Sequence, residues 1–77
     1  MISEYKTANN LERKISLTRR EAEILKGLAQ GLSRTETAAS LNISANTVKM
    51  VVSIICGKLN ANNLANAILI AADQKLI

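Results

Sequence analysis

Residues 33–59 read SRTETAASLNISANTVKMVVSIICGKL, and their punctuation decides the fold. Ser33 stands three residues before Glu36, the spacing of a capping box. In that motif the serine and glutamate side chains satisfy two orphan N–H groups at a helix start. The short helix that follows carries Ala38, Ala39 and Leu41. It stops at Asn42, a residue type that tolerates the left-handed turn at a helix end. Ser44 then has the chemistry of an N-cap, and a longer helix is expected over residues 45–59. Two turns of helix, a break of about three residues and a longer helix are the layout of a helix-turn-helix. Ile43 sits in the break, placed to plug the angle between the two helices. An ordinary helical hairpin in a small bundle has the same layout, so the surface of the longer helix must discriminate.

Plotted at about 100° per residue, that helix separates into two faces. Val48, Val51, Val52, Ile55 and Leu59 gather on one side, with Cys56 at its flank. Asn46, Lys49, Met50, Ser53 and Gly57 lie opposite, with Ile54 beside Met50 and with Thr47 and Lys58 at the boundary. The outer face holds what a major-groove reader needs. Lysine donates to guanine, asparagine pairs with adenine, serine serves either base, and apolar groups meet the thymine methyl. Asn46, Lys49, Met50 and Ser53 are therefore the candidate base contacts. The plainer alternative is a solvated face carrying two stray apolar residues.

Working outward, Thr18 and Glu21 form a second capping box. Ile24, Leu25, Leu28 and Ala29 follow at helical spacing, and Gly31 supplies a left-handed stop. Asn62 or Asn63 caps a last helix that runs to about Lys75. The expected fold is all-α, a compact four-helix domain containing a helix-turn-helix, with helices at about 18–30, 33–41, 45–59 and 63–75. It occupies residues 16–77, and residues 1–15, which lack apolar periodicity, are expected to be a flexible N-terminal arm or linker. The last helix has an apolar arc about 200° wide, roughly twice what one core contact needs. Leu64, Ala65, Ile68, Leu69 and Ala72 on that arc are the candidate dimer interface. With one half of the arc buried, Leu69, Ala65 and Leu76 would stay exposed unless a second copy, or the N-terminal arm folded back, covered them.

Composition removes most other classes. The chain has 77 residues, 48% hydrophobic and 1% aromatic, with no His, no Pro and three Gly. Its core must be aliphatic, and straight-chain and alanine residues favour helices. Without histidine there is no imidazole base or imidazole metal ligand. The lone Cys56 cannot make an intrachain disulfide or a thiolate zinc site, and its expected role is that of a small hydrophobe. No phosphate-binding glycine loop occurs and the six carboxylates form no obvious acid–base pair. No enzyme, metal or cofactor is expected. The net charge is +4, and between Thr37 and Ala72 there is no acidic residue, which suits a polyphosphate partner. No stretch reaches the ~18 apolar residues of a membrane span. The polar N-terminus is not a signal peptide, so no membrane and a cytoplasmic location are expected.

The quoted residues carry a family resemblance. Leu17-Thr18-Arg19-Arg20-Glu21-Ala22-Glu23-Ile24-Leu25, then Ala29 and Gly31, then Leu41-x-Ile43-Ser44-x-x-Thr47-Val48-Lys49, and finally Lys58-Leu59 resemble the LuxR-type (GerE-like) helix-turn-helix domain. The match covers residues 17 to about 76. The resemblance implies a bacterial transcriptional regulator, or its C-terminal DNA-binding module, that inserts the third helix into the major groove of double-stranded DNA. Positions matching Lys49, Met50 and Ser53 would contact bases and those matching Thr47 and Lys58 phosphates, which makes Thr47 and Lys58, together with Arg34, the candidate backbone contacts. The fourth helix would pair two copies into a homodimer, and RNA polymerase or a related regulator would be the protein partner. Three departures are visible: Val51 where relatives carry His, Asn60 where they carry Gly, and Leu64 where a basic residue is common. They predict a weaker electrostatic grip. They also keep open an alternative, a DNA-binding-weak protein acting by protein–protein contact, such as an antagonist forming mixed dimers with a related regulator.

Overall fold

The computed structural model describes residues 15–77; the expected arm lies outside the described residues except for Ile15, which packs against the domain. Four helices form among them, and no strand. They are α1 (Arg19–Ala29), α2 (Arg34–Leu41), α3 (Ala45–Leu59) and α4 (Leu64–Asp73). Each expected helix is present: α3 has the expected bounds, α1 and α2 are shortened by flanking cap residues, and α4 by its cap and by a turn at its end.

All four begin on a side-chain cap. Thr18 and Ser33 each accept from the backbone N–H three residues on, while Glu21 and Glu36 reach back to the cap N–H. Ser44 accepts from the Thr47 N–H and Asn63 from the Asn66 N–H. Between the two candidate asparagines, Asn63 is thus the cap, and the Asn62 N–H donates to the Asn66 side chain.

All four also end the same way. A residue with positive φ (Gly31, Asn42, Asn60, Lys75) turns the chain back. The N–H of the next residue then donates to a carbonyl five positions earlier: Leu32 to Gly27, Ile43 to Ala38, Ala61 to Cys56, Leu76 to Ala71. This is the Schellman pattern, in which an apolar residue follows the left-handed one and packs on its own helix. It corrects one expectation. Leu76 does not stay exposed beside Leu69: the reversal at Lys75 folds it, half-buried, against the cluster of Leu25, Ile55, Leu59, Ala67 and Ala71.

The core has two parts that share α3. Ile24, Leu28, Ala38, Val48 and Val52 join α1, α2 and α3, with Leu41 and Ile43 packed against them. Leu25, Ile55, Leu59, Ala67 and Ala71 join α1, α3 and α4. Ile43 does occupy the angle between α2 and α3, whose axes turn through 106°, within the range for a helix-turn-helix. Ala29 and Ala39, grouped with the core by spacing, are exposed instead, because the neighbouring Leu28 and Ala38 take the inward positions.

Thr37 was not legible as a core residue, yet it is wholly buried and its hydroxyl has no partner. It faces Gly27: a Cβ at Gly27 would lie 3.2 Å from Thr37 Oγ1, so the missing side chain lets α1 and α2 approach. A buried hydroxyl without a partner costs about 1–3 kcal/mol. Thr37→Val keeps the shape and removes the hydroxyl, so thermal denaturation of that variant is expected to show a gain of about 1–2 kcal/mol. A loss would mean that the hydroxyl is bonded in solution.

Candidate nucleic-acid interface

The face that α3 turns to solvent follows from the face that it buries. Val48 and Ile55 are fully buried, Val52 and Leu59 nearly so. With these positions inward, Asn46, Lys49, Met50, Ser53, Ile54 and Gly57 are all exposed. The four candidate base contacts therefore lie together on one open helix surface. α3 carries no carboxylate, so nothing on that helix neutralises Lys49.

The candidate backbone contacts divide. Arg34 is exposed at the first turn of α2. Thr47 is half-buried, and its hydroxyl lies 2.9 Å from the Ser44 Oγ, inside the cap of α3. Lys58 is not a free cation: its Nζ donates to Glu21 Oε1 at 2.8 Å. Glu21 is buried, and the same oxygen accepts from the Thr18 N–H. One carboxylate thus caps α1 and ties it to the C-terminal end of α3. Sequence reading missed this link because 37 residues separate the partners, far beyond any local spacing rule. Burial pushes the Glu21 pKa up, but the hydrogen bond from Lys58, the Thr18 N–H and the lysine charge outweigh it and leave the pKa lowered.

The residues proposed for a dimer also divide. Ala65, Leu69 and Ala72 are exposed on one side of α4, Leu69 by 68%. Leu64 and Ile68 are half-buried against this chain's own core.

A helix-turn-helix whose second helix presents lysine, asparagine, serine and two apolar side chains, free of acid, is the architecture of a DNA-binding domain. The family follows from comparison with known proteins: residues 15–71 match the model for bacterial regulatory proteins of the luxR family, and the chain belongs to that family. It is 41% identical over 59 residues to the nitrate/nitrite response regulator protein NarP of Escherichia coli (strain K12), covering 77% of this chain and 27% of that one. It is 42% identical over 65 residues to the uncharacterized transcriptional regulatory protein YhcZ of Bacillus subtilis (strain 168), covering 84% and 30%. In three dimensions it resembles the crystal structure of response regulator ChrA of a heme-sensing two-component system. That match has a TM-score of 0.77 and 45% identity and covers 83% of this chain and 32% of the other. The chain thus spans roughly a third or less of the length of these relatives.

The Glu21 link has a pH signature. Because its folded pKa lies below the ordinary 4.5, its stabilisation is complete above that value and is lost as the pH falls through the lowered one. Glu21→Gln keeps an acceptor for the Thr18 N–H but removes the charge. The parent should melt higher than this variant at pH 6, and the gap should narrow as the pH falls below 4.5. A gap that stays constant with pH would show that the charge contributes nothing.

Proposed function

We propose that this chain is the sequence-specific DNA-binding module of a bacterial transcriptional regulator, seating α3 in the major groove and pairing with a second copy through α4. The observation that carries the reading is the outward placement of Asn46, Lys49, Met50 and Ser53 on the second helix of a helix-turn-helix. Lys49 and Asn46 supply hydrogen bonds to base edges. Arg34, and Thr47 at the start of α3, face the phosphates that fix register. Lys58 supports the interface by a second route, holding α3 against α1 through Glu21, and reaches phosphate only by sharing its own ammonium between Glu21 and the phosphate. The exposed strip of Ala65, Leu69 and Ala72 is the pairing surface. A two-fold pair would offer one recognition helix to each half-site. Work on DNA belongs to the cytoplasm, with RNA polymerase or a related regulator as the protein partner.

A second reading has one observation in its favour. With Lys58 engaged by Glu21, Lys49 is the unshared cation of α3, which suits a weak DNA binder that acts by forming mixed dimers.

A salt-titrated binding series separates the two. Lys49→Ala should weaken a selected duplex by about 1–3 kcal/mol and relax sequence preference, whereas Arg34→Ala should weaken all duplexes alike and shallow the salt slope by about one unit. Parent and Lys49→Ala binding every duplex equally would favour the mixed-dimer reading. Sedimentation tests the pair: Leu69→Lys should leave helical content intact and shift the parent's self-association to monomer. A parent that is monomeric both free and on DNA would remove α4 from the proposal.

A further inference from the structure

We propose that Met50 and Ile54 read the C5-methyl groups of thymines, so that the duplex this chain prefers carries thymines about two base-pair steps apart beneath α3. This rests on the seating of α3 in the major groove and adds which feature of the bases its apolar side chains select.

Both side chains are open to solvent, Met50 by 60% and Ile54 by 48%. Neither is needed inside, because Val48, Val52, Ile55 and Leu59 already fill the inward positions of the same helix. Exposed large hydrophobics are few among the described residues, and the other two, Leu32 and Leu69, lie outside α3. Two of the four therefore fall on the helix that faces DNA, side by side on its outer surface next to Lys49 and Ser53. Being four residues apart, they stand one turn from each other, about 6 Å along the axis. Side chains in a helix lean toward its N-terminus, so both lean the same way and the separation is kept.

Chemistry selects the target. A thioether and a branched alkyl group make no useful hydrogen bond to a base edge. The thymine methyl is the apolar group that the major groove displays, and cytosine, adenine and guanine lack it there. Burying Met50 or Ile54 against a polar edge would strip that edge of water without replacement, which disfavours G·C pairs at both places. A helical separation of about 6 Å matches about two steps of roughly 3.4 Å along the duplex. Ile54 is stiff at χ1 and should be strict about position, while the unbranched Met50 adapts.

Deoxyuridine tests this with one methyl group at a time. Duplexes are selected from a random library with the 77-residue chain, and each thymine of the selected site is replaced in turn by deoxyuridine. Two positions are expected at which the replacement lowers affinity about fourfold, the worth of one buried methyl. Met50→Ala should abolish the effect at one of them and Ile54→Ala at the other, while Lys49→Ala leaves both. Melting of the two alanine variants checks that they fold as the parent does. A selected duplex that beats its shuffled version, yet ignores every deoxyuridine, overturns the methyl reading and leaves the seating of α3 intact. A selected duplex no better than its shuffled version overturns the seating, and the methyl reading falls with it.

Discussion

The face that α3 presents depends on one stripe of four side chains. Val48, Val52, Ile55 and Leu59 fix the rotation of α3 about its own axis. The upper pair packs with α1 and α2, the lower pair with α1 and α4. α3 therefore cannot turn without opening both halves of the core, and leucine or isoleucine to alanine in such sites costs about 2–5 kcal/mol. For a domain of this size that is a large part of the total stability. The outer face needs no interaction of its own to be displayed: it is what remains when the stripe is buried.

The helix ends supply the second constraint. Each helix opens on an oxygen-bearing cap and closes on a left-handed reversal, so the chain changes direction within a few residues and keeps its apolar residues on one side. At the break between α2 and α3 the two devices meet: Asn42 ends one helix, Ile43 enters the core and Ser44 starts the next. The 106° angle between the helices is set by those residues and by the burial of Ile43. The Glu21–Lys58 ion pair then pins the far end of α3 to the first turn of α1. Stability and display are coupled there, since the cation expected to meet phosphate is also the one that completes a buried carboxylate.

What could be read in the sequence was local. Capping boxes are three-residue spacings, the left-handed Gly31 and Asn42 are residue types with a backbone preference, and the two faces of α3 emerge from helical periodicity over fifteen residues. Hence the helices, the turn and the exposed set of Asn46, Lys49, Met50 and Ser53 were all legible. What escaped depends on contacts between distant segments. Thr37 is polar and buried because α2 meets Gly27 of α1. Glu21 is buried because Lys58 reaches it. Leu76 is covered because Lys75, not a glycine, takes a positive φ. In α4 periodicity overestimated the free surface, since Leu64 and Ile68 belong to the core and the exposed strip reduces to Ala65, Leu69 and Ala72.

The most direct measurement is an amide NMR titration of the 77-residue chain with its selected duplex. The expected result is that the largest changes fall on Asn46, Lys49, Met50, Ser53 and Ile54, while amides beside the buried Val52 and Ile55 stay protected from exchange throughout. Changes centred on α1 or on the loop after it, with the outer face of α3 silent, would contradict the claim that the buried stripe aims this face at DNA.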